Sequence, residues 1–225
     1  MKWYLYFLKK RKRCSSGKKH IAVSKINVLA IKSLEISLYN ELKRKVIHLV
    51  ALSIPIGYYI LPKKAALLIL VPITIGSILI DIIRLRKLPL AGFFNWLLGP
   101  ILREHESYNL TGSSHILSAS VLSIIFFNKK VAIAAIAYII LGDIAAALVG
   151  RVYGKTRIEK KSLEGSLAFL SICLLIALLL PGLPFWIGAI GAAVATAVEA
   201  LSIPIDDNLT VPLVCGLVME ILILL

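Results

Sequence analysis

The sequence predicts an all-α membrane protein with about seven transmembrane helices and a cytoplasmic N-terminus. Of its 225 residues, 59% are hydrophobic and 17% are charged, and the mean hydropathy is +0.88. These values argue against a soluble core. Apolar segments near the length that a bilayer requires recur from residue 46 onward, and most basic residues fall on one side of them, as expected for a cytoplasmic face.

Spanning helices need about 17 to 25 predominantly apolar residues. Seven segments meet or approach this length: 46–61, 65–83, 114–127, 131–150, 163–180, 184–201 and 209–225. The third is short, so it spans only if it begins before Ser114 or tilts little. The second and fourth have the strongest pattern.

Between the second and third segments, residues 90–102 are apolar and aromatic but are interrupted by Gly92, Gly99 and Pro100. Interruptions of this kind favour a helix on the membrane surface, or a re-entrant segment, over a crossing. We therefore predict an interfacial segment near 90–102.

The Lys and Arg residues set the orientation, because cytoplasmic loops are rich in them. Of the 26, 22 lie in residues 1–45, in 84–113 and in 151–162, which seven crossings place on one side. The other side holds two Lys pairs, at 63–64 and 129–130. A cytoplasmic N-terminus satisfies this pattern.

The formal net charge of +14 is concentrated at the N-terminus, where residues 1–45 contribute +11. We predict a basic accessory arm over 1–35, held against anionic head groups, and one membrane-embedded domain over 36–225. This distribution disfavours a nucleic-acid partner. The three cysteines lie far apart, which predicts packing roles and neither a disulfide framework nor a metal site.

Polar residues gather on the predicted cytoplasmic side in four clusters, and ionisable groups in a membrane span are functional candidates by default. The first cluster shares one helix face through the spacing i, i+3, i+4, i+7 and comprises Glu41, Arg44, Lys45 and His48. Snorkelling at a helix end explains its bases equally well. The second cluster, 103–115, includes Glu104, and a polar loop with a helix cap is its alternative interpretation.

The third cluster runs from Gly142 to Ser166. Asp143 lies about eight residues inside the fourth segment, where an unpaired carboxylate costs a few kcal/mol, so it needs a basic partner or a metal ion. Gly150, Gly154 and Gly165 permit close backbone approach beside several bases. These are the ingredients of a phosphate cradle without the spacing of a Walker loop. The bases are Arg151, Lys155, Lys160 and Lys161.

The fourth cluster joins Glu199 to Asp206, Asp207 and Asn208, in a loop without Lys or Arg. Oxygen ligands of this kind suit Mg²⁺, which binds through one or two carboxylates together with substrate phosphates. The alternative is a polar turn in which Asn208 or Thr210 caps the next helix. Two acids outside the clusters are assigned structural roles, and these are Asp81, beside Arg84, and Glu220.

These blocks, in this order, resemble the CTP-dependent lipid-alcohol kinases: dolichol kinase, phytol and other prenol kinases, and the yeast-type CTP-dependent diacylglycerol kinase. The residues that carry the resemblance are Glu41–His48, Gly142–Ala147, Gly150–Lys155, Lys161–Ser166, Thr196–Glu199 and Asp206–Pro212. The resemblance implies a polytopic membrane enzyme that uses CTP and a divalent metal ion, Mg²⁺. It does not cover the arm, and the chain is shorter than eukaryotic dolichol kinases, so the acceptor does not carry over.

The resemblance, together with the clusters, leads us to expect three sets of site residues. The nucleotide phosphates are expected at Arg44, Lys45, Gly150, Arg151, Gly154, Lys155, Lys161, Ser162, Glu164 and Gly165. The metal ion is expected at Asp143, Asp206, Asp207 and Glu199. Catalytic roles fall to Asp143, Glu104 and His48, with Asp143 the first choice to orient the attacking hydroxyl and Glu104 the second.

The expected activity is transfer of the γ-phosphoryl group of CTP to the hydroxyl of a membrane lipid alcohol, a polyprenol or a shorter prenol such as geranylgeraniol or phytol. Its expected setting is a prokaryotic plasma membrane, with the site on the cytoplasmic face. The alternatives are a CTP-dependent diacylglycerol kinase, a cytidylyltransferase that makes a CDP-lipid, and a membrane transporter. A transporter would be expected to show inverted repeats and binding residues near the midplane.

Overall fold

A computed structural model describes residues 46, 48–99, 102, 105–158, 161–201 and 205–225, and this part of the chain is mostly α-helical. The predicted arm over 1–35 lies outside the described residues. So do three predicted site residues, Arg44, Lys45 and Glu104.

The described part of the chain contains eight α-helices, one short 3₁₀ helix at His105–Ser107 and a two-stranded antiparallel hairpin. The helices are α1 Ser53–Ile60, α2 Lys63–Leu85, α3 Ala91–Leu98, α4 Gly112–Phe126, α5 Lys129–Tyr153, α6 Leu163–Leu179, α7 Phe185–Ala200 and α8 Asp207–Leu224. The strands are β1 Arg157–Ile158 and β2 Lys161–Ser162, between α5 and α6. A helical segment that begins at His48 leads into α1.

Contacts between helix ends show that α1, α2 and α4 to α8 run alternately up and down. At one end, Lys63 Nζ donates to the Ile125 carbonyl at 2.7 Å and Lys129 Nζ to the Leu61 carbonyl at 3.0 Å. At the same end, Glu220 accepts hydrogen bonds from the backbone and side-chain N–H groups of Asn128. We call this the turn end. The opposite end, where α4, α6 and α8 begin, is called the polar end.

Each of the seven predicted segments coincides with a helix. The helices Lys63–Leu85, Lys129–Tyr153 and Asp207–Leu224 are long and apolar enough to cross a membrane. The other four are shorter apolar helices: His48–Ile60, Gly112–Phe126, Leu163–Leu179 and Phe185–Ala200. A helical protein compatible with a membrane is therefore supported, while the count of seven crossings stays a prediction.

Helix α5 forms the centre of the bundle and contacts α1, α4, α6, α7 and α8. Its residues from Val131 to Ile140 are all buried. Toward the polar end, Gly142, Ala146 and Gly150 recur every four residues, so they share the face that meets α6. A Cβ on Gly142 would lie 2.6 Å from the ring of Phe169. Small residues at this spacing let the two helices approach closely.

The segment near 90–102 contains α3, which is too short to cross a bilayer. It contacts α2 and exposes Phe93, Trp96 and Leu97. Aromatic side chains exposed on a short apolar helix are typical of an interfacial segment. The interfacial position of 90–102 stays a prediction.

A buried carboxylate fastens α4 to α2. Asp81, whose relative exposure is 1%, accepts hydrogen bonds from the backbone N–H and hydroxyl of Thr111 and from the hydroxyl of Ser114. Arg84 donates to Asp81 at 3.3 Å and to the Asn109 carbonyl at 2.7 Å. The structural roles assigned to Asp81 and Glu220 are confirmed.

Candidate functional site

The polar end of the bundle holds a pocket of about 390 Å³ between α5, α6 and α7, which we call the polar pocket. It is lined by Asp143, Ala146, Ala147, Gly150, Arg151, Gly154, Lys161, Ser162, Gly165, Ser166 and Glu199. Eight of these eleven residues are predicted site residues. The folded chain therefore brings the third cluster and Glu199 of the fourth to one place.

Asp143 has a basic neighbour on the first helical segment. His48 Nε2 lies 3.4 Å from Asp143 Oδ2, and His48 is buried. The carboxylate within α5 was expected to need a basic partner or a metal ion, and His48 supplies positive charge when it is protonated. The first and third sequence clusters thus meet through this pair.

Lys161 lies between two carboxylates from different helices. Its Nζ is 2.9 Å from Glu199 Oε1 and 2.7 Å from Asp207 Oδ2, and it also donates to the backbone carbonyl of Glu199. An ammonium has three donors, and here all three have acceptors. A phosphate would have to displace one of them to reach Lys161.

The charge on Lys161 is held by its surroundings. Burial acts to lower the pKa of Lys161, but hydrogen bonds from the ammonium to Asp207 and Glu199, and the negative charges of both, outweigh it. The pKa of Lys161 is therefore raised above its ordinary value. Lys161 is a fixed cation that ties the end of α7 and the start of α8 to strand β2.

Ser166 was not predicted as a site residue, although it stands next to Gly165 in the third cluster. Its hydroxyl donates to Glu199 Oε2 at 3.4 Å. Ser166 follows Ser162 by four residues at the start of α6, so both lie on one helix face. The spacing of four residues from Ser162 could have identified Ser166 as a site residue from the sequence.

The fourth cluster divides into a helix cap and a pocket acid. Asp206 Oδ1 accepts a hydrogen bond from the backbone N–H of Asn208 at 2.9 Å and caps α8, so the alternative that placed the cap at Asn208 or Thr210 is wrong. The other Asp206 oxygen lies 3.9 Å from His115 Nδ1. The next residue, Asp207, belongs to the carboxylate pair around the ammonium. Consecutive side chains at a helix start point in different directions, which separates the two aspartates.

The three predicted cradle glycines surround a side chain. A Cβ on Gly150, Gly154 or Gly165 would lie 2.7, 3.0 or 2.9 Å from Ser162 Oγ. That hydroxyl accepts a hydrogen bond from the Gly165 N–H at 3.1 Å and caps α6. The close approach predicted for these glycines is present, and it serves the packing of α5 on α6 as well as the pocket wall.

Glu164 acts on the loop after α5. Its carboxylate accepts hydrogen bonds from the backbone N–H groups of Lys155 at 3.1 Å and Thr156 at 3.2 Å. A carboxylate thus occupies N–H groups that a phosphate could otherwise bind. The side chains of Arg151 and Lys155 are exposed, and Arg151 lines the polar pocket.

The four predicted metal ligands come together only in part. Asp143 and Asp206 both lie close enough to Asp207 to interact with its charge, while the ammonium of Lys161 fills the space between Asp207 and Glu199. Within the described residues, no group of three or more His, Cys, Asp or Glu side chains is arranged to hold a metal ion. Asp143, which faces the open pocket, is the member of the set best placed to add a cation.

Two further cavities adjoin His48. The apolar groove, of about 420 Å³, lies between the His48–Ile60 segment, α2 and α4, and its lining includes Ile54, Gly57, Tyr58, Leu70 and Ile73. The side cavity, of about 470 Å³, lies between α2, α4 and the residues Leu98, Leu102 and Glu106. Because His48 lines both cavities and contacts Asp143, it stands where the apolar groove meets the polar pocket.

Comparison with curated proteins finds a relative in Rickettsia prowazekii, described as uncharacterized protein RP860. The two chains are 33% identical over 183 residues, which is 77% of this chain and 90% of the relative. No protein-family model matches the chain, and no solved structure matches it. The similarity therefore covers most of both proteins.

Proposed function

The chain belongs to the same family as the Rickettsia prowazekii protein, and we propose that it is a CTP-dependent kinase of membrane lipid alcohols. In the proposed reaction, the hydroxyl oxygen of the lipid attacks the γ-phosphorus of CTP. The bond from that phosphorus to the bridging oxygen breaks, and CDP leaves. The hydroxyl proton passes to Asp143. The products are a lipid monophosphate and CDP.

One observation carries the proposal: an apolar groove and a polar, glycine-lined pocket meet at the His48–Asp143 pair. A lipid kinase must bring a membrane-soluble hydroxyl to a water-soluble phosphate. Phosphoryl transfer asks the protein chiefly for positioning and for charge stabilisation. The junction offers both, with a carboxylate that can accept a proton and an imidazole that orients it.

The polar end of the bundle also suits a nucleotide. The N-termini of α4, α6 and α8 gather there, each capped by its own side chain, Thr111, Ser162 or Asp206. Helix N-termini carry partial positive charge and favour anions. Arg151 and Lys155 would contact the phosphates directly. Lys161 would act through the carboxylates that it positions.

Mg²⁺ belongs to the proposal as a companion of the nucleotide. Mg²⁺ is usually bound by one or two carboxylates together with substrate phosphates, so the absence of a three-ligand cluster among the described residues does not conflict with it. Asp143 would hold the ion, with Asp207 as the second candidate. When bound, the ion would neutralise charge on the transferring phosphates.

The polar residues also bear on the transporter alternative. The ionisable groups of the described bundle gather at its two ends, and the polar pocket lies at one of them. A transporter is expected to bind its substrate near the midplane between inverted repeats. This distribution favours an enzyme at a membrane surface.

The test uses the full chain, purified in detergent and incubated with γ-labelled CTP or ATP and a panel of polyprenol, geranylgeraniol, phytol and diacylglycerol. We expect labelled lipid and release of CDP. A parallel reaction supplies a lipid phosphate in place of the alcohol, and release of pyrophosphate in that reaction would indicate a cytidylyltransferase instead. Absence of labelled lipid with every acceptor would reject the kinase.

Asp143→Asn keeps the shape of the side chain but removes its charge and basicity. We expect the transfer rate to fall by about 100-fold or more, the usual contribution of a positioned general base. Glu220→Gln is the matched control, because Glu220 contacts Asn128 at the turn end. The control variant should keep the wild-type rate. Equal rates for both variants would remove Asp143 from the site.

A further inference from the structure

The apolar groove has the shape of a site for one hydrocarbon chain. The helical segment from His48 to Ile60 runs along it, which corresponds to about 20 Å at about 1.5 Å of rise per residue. His48 stands at its polar end, and Tyr58, Leu61 and Ala66 line it toward the turn end. Tyr58 is buried, with Lys129 Nζ 5.4 Å from its ring centroid, so a packed aromatic ring forms part of the groove wall near the turn end.

The groove opens to the surroundings of the bundle through apolar side chains. Val50, Ile69 and Ile73 line it and are more than half exposed. In a membrane protein such a surface faces lipid. A lipid alcohol can therefore enter sideways from the bilayer, without passing through water.

The side cavity is the more polar of the two cavities that adjoin His48. It shares His48, Ile73, Ser113 and Leu117 with the groove, but its far wall carries Asp81, Glu106 and Asn208. Glu106 accepts a hydrogen bond from the Gly112 N–H at 2.9 Å. A hydrocarbon chain placed against these buried polar groups would form no hydrogen bond with them and would exclude water from them. Of these two cavities, the groove is therefore the less polar path for a hydrocarbon chain that starts at His48.

We propose that the apolar groove binds the single chain of the acceptor, with the hydroxyl at His48 and Asp143, and that Gly57 sets the chain length that fits. This inference rests on the proposed function and narrows it, since the groove has the dimensions of one hydrocarbon chain and favours a prenol or another single-chain alcohol over the two chains of diacylglycerol. Lipid tails are as apolar as the groove, so selection acts through packing and exclusion, not through transfer from water.

Gly57 is the position at which exclusion can be tested cleanly. Gly57 lines the groove, and a Cβ built on it meets nothing within 4 Å, so the side chain of Gly57→Phe starts in open space and adds bulk at the groove wall. Gly76 likewise has nothing within 4 Å of its Cβ, but it lines the side cavity. Gly76→Phe is therefore a matched control with the same substitution in the neighbouring cavity.

The experiment compares geraniol with geranylgeraniol as acceptors for both variants. A long chain that no longer fits holds its hydroxyl away from the phosphate, and a displacement of about 1 Å costs on the order of 100-fold in rate. We expect Gly57→Phe to lower kcat/KM for geranylgeraniol by about that factor and to spare geraniol. Gly76→Phe should leave both unchanged. The inference would be overturned if only Gly76→Phe lowers kcat/KM, or if Gly57→Phe lowers it equally for both alcohols. Diacylglycerol as the preferred acceptor would also overturn it.

A second measurement does not depend on catalysis. A geranylgeraniol analogue with a diazirine at the end of its chain is photolysed with the full protein, and the labelled peptides are identified. We expect label between Gly57 and Leu70, competed by geranylgeraniol and lost in Gly57→Phe. Label there without any phosphoryl transfer would reject the kinase while keeping the groove assignment. Label elsewhere in the chain, including residues 1–45, would reject the groove.

Discussion

Replacing Lys161 by Met is the sharpest test of how the polar end is held together. Methionine keeps much of the length of the lysine side chain but removes the ammonium. Glu199, whose side chain is 8% exposed, and Asp207, whose side chain is 35% exposed, then face each other without a cation. Glu199 also loses the donor to its backbone carbonyl.

The cost of this change can be bounded from the burial of the three groups. Removing one partner of a buried ion pair costs about 3 to 5 kcal/mol, because a charge is left uncompensated. The side chain of Lys161 is itself 27% exposed, so water takes over part of the lost interaction. We therefore expect a loss of about 2 to 3 kcal/mol. For a chain of this size that corresponds to roughly 5 to 10 °C in Tm.

Thermal unfolding in detergent measures the loss, and a second substitution tests its cause. Adding Glu199→Gln to Lys161→Met removes the buried negative charge while an amide remains beside Ser166. We expect the double variant to recover at least about 1 kcal/mol relative to Lys161→Met, a coupling that only interacting groups show. If the stability losses of Lys161→Met and Glu199→Gln simply add in the double variant, the ion-pair argument is refuted. A Tm of Lys161→Met equal to that of the wild type would also refute it.

Two further substitutions test the packing and the buried network that support the site. Gly142→Ala places a methyl group 2.6 Å from the ring of Phe169 and should lower the free energy of unfolding by about 1 to 3 kcal/mol. The control Gly76→Ala has open space around its Cβ and should leave Tm within about 2 °C of the wild type. Equal Tm values for the two variants would contradict the close packing. Asp81→Asn leaves the buried guanidinium of Arg84 without a charged partner and should lower Tm by roughly 10 °C. Adding Arg84→Met to Asp81→Asn should restore part of this Tm. If it does not, the ion pair is not the source of the loss.

The positions of the helices follow from the sequence because the bilayer constrains length and polarity so strongly. The predicted segment 131–150 becomes Lys129–Tyr153, and 65–83 becomes Lys63–Leu85. Both extend past the prediction because Lys and Arg at helix ends can reach water while their backbone stays helical. The short third segment starts at Gly112, two residues early, because Thr111 caps it.

The arrangement of the site could be predicted only in part, because hydropathy fixes how deep a residue lies but not which neighbour its helix turns it toward. Lys161 was expected at a phosphate, yet it bonds to Glu199 and Asp207. Asp206 and Asp207 were expected to share a metal ion, yet the first caps a helix. These choices depend on rotation about the helix axes, which is set by packing between helices distant in sequence.

The central position of α5 explains why Asp143 can serve as the focus of a site. Beyond Ile140, α5 exposes Leu148 and Val152 on one side, while Asp143 lies on the side that lines the polar pocket, as expected for an ionisable group in a membrane protein. Toward the turn end, α5 is filled by buried apolar residues from Val131 to Ile140. Beyond Gly142 its small residues bring α6 close and leave room on the adjoining face for the polar pocket. Asp143 therefore lies where buried apolar packing gives way to the polar pocket, and under the proposed function this position would let one carboxylate meet both a lipid hydroxyl and a nucleotide phosphate.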